Sequence, residues 1–138
     1  MLFRSTLEVA VTNVNGAVSV ENIDAPVAVD NTNGEVDLRN VSGGATAATV
    51  NGQIDANATL PRAGRLELSL VNGSIELDIP RNTSAAFSAT TSNGTVTLSN
   101  LVLGNETSTP TSRRGTLGAG EGTIILTSVN GSIRVSGS

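Results

Sequence analysis

Residues 27–38 read Val-Ala-Val-Asp-Asn-Thr-Asn-Gly-Glu-Val-Asp-Leu, two short alternating runs joined at Asn33-Gly34. Asn-Gly recurs at 15–16, 51–52, 72–73, 93–94 and 130–131, so the successive intervals are 18, 18, 21, 21 and 37 residues. A fixed frame surrounds every copy. The positions six and four before the Asn and three and five after it are apolar in all of them: Val27, Val29, Val36 and Leu38 here, Leu66, Leu68, Ile75 and Leu77 further on, Ile124, Leu126, Ile133 and Val135 near the end. Self-similarity of this period marks a repeat architecture, in which each unit buries its apolar face only by stacking on another.

Alternation at period 2 is the signature of strands with one buried face, and it excludes helix over nearly the whole chain. Two all-β folds fit. Asn-Gly between alternating runs is a strong signal for a two-residue hairpin turn. The alternative is a parallel β-solenoid, or β-helix, in which each unit of 18–21 residues is one coil lying on the next. The residue two before the Asn is Asn13, Asn31, Thr49, Leu70, Thr91 or Ser128, polar in all but Leu70, so inward alternation is expected to break before the turn. Near-constant spacing is also required by coils and not by hairpins, because equivalent residues must recur at about 4.8 Å to pair their backbones. We therefore expect a single-domain, right-handed parallel β-solenoid over residues 1–138, with about seven coils in a rod roughly 30 Å long. Its Asn side chains would form a hydrogen-bonded ladder, with left-handed Gly at each corner.

The long last interval contains Gly104-Asn-Glu-Thr-Ser-Thr-Pro-Thr-Ser-Arg-Arg-Gly-Thr-Leu-Gly-Ala-Gly-Glu-Gly122, with one apolar Leu117 and no strand pattern. It is expected to be an excursion loop at 104–122. The coils at either end, entered by Leu7 and left on Val135, have no helix or Pro-rich cap. Uncovered end coils are open edges, which allow homo-oligomers and end-to-end filaments.

Composition narrows function more by absence than by presence. The 138 residues include no His, Cys, Trp, Tyr or Lys, two Phe, and a net charge of −4 in which all eight positive groups are Arg. Ser-His-Asp and Cys-His nucleophiles, Cys/His zinc sites and Schiff-base lysines are thereby excluded. Phosphate-backbone affinity needs clustered Lys and Arg, and the lone pair Arg113-Arg114 has no aromatic neighbours for base stacking, so no nucleic-acid partner is expected. No apolar run reaches the ~20 residues of a membrane span. The start, Met1 to Thr6, is too short in its apolar part for an export signal of ~7–15 apolar residues.

Outward columns are the remaining candidates. Four residues after each Asn stand Ser19, Asp37, Asp55, Glu76, Thr97 and Arg134, so three carboxylates would stack. A hard cation such as Ca²⁺ would relieve their repulsion, but it takes six to eight oxygens, and three exposed carboxylates do not make that cage. A solvated acidic stripe with no metal and no cofactor is the expectation. Carboxylate pairs such as Asp37 with Asp55 could in principle serve glycoside cleavage. No pair stands out, and no Trp or Tyr is present to stack on a sugar. Thr95 and Thr97 alone do not make the Thr array of an ice-binding face. Asn-x-Ser/Thr sequons occur at Asn40, Asn57, Asn72, Asn82, Asn93, Asn105 and Asn130, and they matter only in an exported chain.

The segments Leu68 to Pro80, Ala89 to Leu98 and Leu117 to Ile133, the last with its Gly-rich run before a closing Asn-Gly-Ser-Ile, resemble the prokaryotic family of β-strand-repeat domains of unknown function that carries a provisional adhesin label. That resemblance covers essentially the whole chain. It implies a parallel β-solenoid of extracellular or cell-envelope type and brings no catalytic residues. A chain without a leader or anchor would then be the mature domain; the absence of Cys is equally compatible with the cytoplasm. The expected function is a non-catalytic structural or interaction module that presents polar faces and the 104–122 loop to a protein or cell-surface partner. A self-assembling scaffold is the first alternative, and a polysaccharide-acting β-helix enzyme the second.

Overall fold

The computed structural model describes residues 2–5, 9–23, 26–58, 64–81, 83–101 and 103–137. It is all-β, with twelve strands and no helix among these residues: β1 (Leu2–Ser5), β2 (Val9–Asn15), β3 (Val18–Ile23), β4 (Val27–Val41), β5 (Ala45–Ala58), β6 (Arg65–Ile79), β7 (Ala85–Asn93), β8 (Val96–Ser99), β9 (Gly104–Thr109), β10 (Ser112–Leu117), β11 (Gly122–Asn130) and β12 (Ile133–Gly137). Every pairing between Asn-Gly repeats is parallel, with equivalent residues in register: Val27 with Ala45, Asn33 with Asn51, Val36 with Ile54. The architecture is a β-solenoid-like stack of rungs, each bent at its Asn-Gly corner. β1 adds a parallel strand on β3 at the first end.

The order of rungs departs from the order of the chain. The last repeat, β11 and β12, lies between the fourth and the fifth: Thr127 pairs with Ser69 on one side and with Thr90 on the other, and Val135 with both Leu77 and Leu98. Simple succession of coils was expected. All repeats share one frame, so the sequence pattern is equally satisfied by either order. The rung ending on Val135 is consequently interior, and the 85–99 repeat is the last of the parallel rungs. Leu7 lies outside the described residues.

A second correction concerns 104–122. Residues 104–117 form a β-hairpin rather than a loop: β10 runs antiparallel along the edge of β7 that β11 leaves free, and β9 pairs antiparallel with β10. Nearly all of its side chains face water on at least one side, so no apolar alternation is needed; Thr at alternate positions supplies the β preference. Leu117, with Leu103 just ahead of β9, joins the core cluster that contains Phe87.

The core consists of columns of Val, Ile, Leu and Ala, one residue per rung. Where burial is described, every frame position is buried except Leu98, which is partly exposed. Each such side chain contributes on the order of 1.5–3 kcal/mol. The column two before the Asn shows that alternation does not break, contrary to expectation. Asn31, Thr49, Thr91 and Ser128 are only 1–3 % exposed. Two of them donate to corner carbonyls, Asn31 Nδ2 to Gly16 O at 3.3 Å and Thr91 Oγ1 to Gly131 O at 3.0 Å, whereas the hydroxyls of Thr49 and Ser128 are buried with no hydrogen-bond partner among the described residues.

An Asn ladder runs the length of the stack without a gap. Asn33 donates to Asn15, Asn51 to Asn33, Asn72 to Asn51, Asn130 to Asn72 and Asn93 to Asn130, at 2.8–3.0 Å. At ~0.5–1.5 kcal/mol per hydrogen bond the ladder adds less than the core, but it admits only one register. The corner glycines have φ of 120–154°, positive but more extended than the left-handed helical value expected. A second Asn column, Asn22, Asn40 and Asn100, does take left-handed values of 52–59°. Asn40 Nδ2 donates to Asn22 Oδ1 at 3.0 Å.

Candidate functional site

The half-rungs that follow each Asn-Gly corner turn their charged side chains to one outer face. Asp37 pairs in register with Asp55 and Asp55 with Glu76, so the three carboxylates do stack in one column. Glu76 is followed by Arg134 and only then by Thr97, because the last repeat is inserted. Arg134 Nη1 lies 3.5 Å from Glu76 Oε1. Arg39, two residues along the strand from Asp37, holds that carboxylate at 3.1 Å.

Among the described residues these cations leave Asp55, in the middle of the column, without an ion pair. Partial burial, followed by the charges of Asp37 and Glu76, raises its pKa above the ordinary carboxylate value. The Arg39 guanidinium is pushed the other way, further into its charged form, by the hydrogen bond to Asp37. Asp78 extends the same face, and its Oδ1 is buried without a hydrogen-bond partner. Two shallow depressions result. One of about 300 Å³ is lined by Asp55, Glu76, Asp78 and Arg134; the other, about 330 Å³, by Asp37, Arg39, Asn57 and Asp78.

Chemically, the face offers a cluster of four carboxylates flanked by the guanidinium groups of Arg39 and Arg134, with hydroxyl and amide groups between. Among the described residues no group of three or more Asp or Glu is arranged to hold a metal ion. Sequence reasoning missed Arg39, Asn57 and Asp78 as partners of the column; period-2 alternation places them on the same side, six residues after their Asn. Arg134 was seen, but its place beside Glu76 depends on the order of the rungs.

The other candidates disperse. Arg113 pairs with Glu106 across the hairpin at 2.9 Å, while Arg114 is exposed on the opposite side of β10. Thr95 and Thr97 are exposed and isolated. Of the sequons, Asn72, Asn93 and Asn130 have Nδ2 committed to the ladder, and Asn40 to Asn22. Asn57 and Asn105 are exposed, and Asn82 lies outside the described residues.

Parallel rungs, a ladder of corner asparagines and no helix among the described residues define a β-strand-repeat domain. Over residues 5–136 the chain matches the family described as Toastrack DUF4097, and it belongs to that family. No curated protein and no solved structure matched it. Among the described residues no helix is long and apolar enough to cross a membrane.

Proposed function

We propose that the chain is a non-catalytic interaction module, adhesin-like in action, that presents a rigid charged face and its 104–117 hairpin to a partner at the cell surface or envelope. The observation that carries this reading is the partition of charge. Asp37, Arg39, Asp55, Glu76, Asp78 and Arg134 gather on one outer face of a stack whose register is fixed by the Asn ladder. A rigid surface loses little conformational entropy on binding. The chain supplies no His, Cys, Lys or Tyr for general acid–base or covalent chemistry. A right-handed coil is part of the reading, the hand favoured by parallel β crossovers.

Cosedimentation of the purified protein with cell-envelope fragments tests it. Binding that falls at least about tenfold in D37N/D55N/E76Q supports the reading, whereas binding indifferent to those changes contradicts it. Release of soluble sugar from the fragments, abolished in D37N/D55N, would favour a polysaccharide-acting enzyme instead.

Open edges favour end-to-end self-assembly as a second reading. Among the described residues β2 pairs only with β4, and β9 only with β10, so each end of the stack carries a strand with one edge unpaired by them. Fibres in electron micrographs would support it; their absence at high protein concentration would not.

A further inference from the structure

The outer face opposite the charged one is nearly free of charge. It is built from eight strands in the order β2, β4, β5, β6, β11, β7, β10, β9. Its outward residues are mostly Ala, Ser and Thr. Along its margin, beside the Asn ladder, Val14, Val50, Val71 and Val129 stand 37–59 % exposed. Glu67 is neutralised by Arg65 at 3.1 Å. Two charges on this face have no ion-pair partner among the described residues: Asp30 on β4, second from one end, and Arg114 on β10, second from the other.

The geometry points to a second copy of the same chain as the occupant of this face, in a closed two-fold dimer whose axis runs along the strands. Such an axis reverses the order of the strands and preserves position along them, so β4 of one copy covers β10 of the other. Arg114 is in register with Ser88, the position of Ala28 in its own repeat, and Asp30 lies two residues further along. At ~3.3 Å per residue that offset is within the reach of an arginine side chain. A depression of about 280 Å³ awaits it, lined by Ala10, Ala28, Thr46 and Ala48, with Asp30 on its wall.

The symmetry makes this contact twice, and it sets Arg65 and Glu67 beside the axis against their own counterparts, each already paired with the other within its copy. It is isologous, so it closes at two copies and does not propagate. Eight strands at ~4.8 Å and about six residues at ~3.3 Å give each copy roughly 700 Å² of face, or on the order of 1,400 Å² buried in total. That area lies in the range of stable specific interfaces. The contact leaves exposed the column of Asp37, Asp55 and Glu76 on which the envelope-binding reading is tested, so either can fail alone.

Light scattering after size exclusion, on the full chain at micromolar concentrations, tests the proposal. The expected result is a dimer whose dissociation constant rises at least about tenfold in either D30R or R114E and returns toward the original in D30R/R114E. Circular dichroism and a thermal melt confirm that each exposed-site variant is folded. A monomer throughout, a dimer unaffected by both reversals, or a double variant no better than the singles would overturn it.

Discussion

At the corner of a rung, a glycine has no room for even a methyl group. A Cβ on Gly52 would run into the carbonyl of Gly34, and one on Gly131 into that of Gly73, at φ values that L side chains rarely adopt. Gly16 has the same positive φ, but the nearest atom its Cβ would meet is Asn13 Nδ2 at 3.7 Å, because among the described residues no Asn-Gly corner lies beyond it. The clash and the backbone strain therefore act together inside the stack and separately at its end. Gly52→Ala is expected to lower stability by about 3 kcal/mol or more, and Gly16→Ala by about 1–2 kcal/mol, in chemical denaturation. Equal losses at the two sites would show that φ alone matters and that the rungs do not approach so closely. Asparagine is equally specific in its place: each ladder Nδ2 of Asn33, Asn51, Asn72, Asn93 and Asn130 is already donated, which leaves Asn57 and Asn105 as the described sequons without such a bond.

Elements show where sequence alone is sufficient and where it is not. The rungs β4, β5 and β6 follow directly from the apolar frame around Asn33, Asn51 and Asn72, since burial of alternate residues leaves no other pleat. The hairpin β9–β10 was illegible because its pairing is driven by backbone hydrogen bonding along the free edge of β7, not by an apolar face. One residue betrays it. Leu117 is 2 % exposed, opposite Ala85, and its burial is what an excursion loop would not provide. Leu117→Ala should cost about 2–4 kcal/mol in a denaturant titration, whereas Thr107→Ala on exposed β9 should stay within about 0.5 kcal/mol. A silent Leu117→Ala would return the segment to a dispensable loop. The buried polar column at Asn31, Thr49, Thr91 and Ser128 misled for a related reason: polarity in a single sequence marks either an outward position or a small polar group held inside, and for Asn31 and Thr91 it is the Gly carbonyl they donate to that distinguishes them.

For the whole molecule, the acidic column was legible and its neutralisation was not. Register alone stacks Asp37, Asp55 and Glu76, but placing Arg134 beside Glu76 requires the last repeat to enter the stack between the fourth and the fifth. The same insertion places β11 within the sparsely charged eight-strand face, with Arg114 near its far end. Both outer faces thus depend on one topological fact. It is open to a direct chemical measurement with the outward residues Ser69, Thr127 and Thr90. Adjacent rungs stand about 4.8 Å apart, within disulfide range, and alternate rungs about 9.6 Å apart, beyond it. In oxidised, dilute protein analysed by mass spectrometry, S69C/T127C is expected to form an intrachain disulfide and S69C/T90C to remain reduced. Cross-linking of S69C/T90C with none in S69C/T127C would mean that the fifth repeat lies directly on the fourth, and would contradict the inserted order.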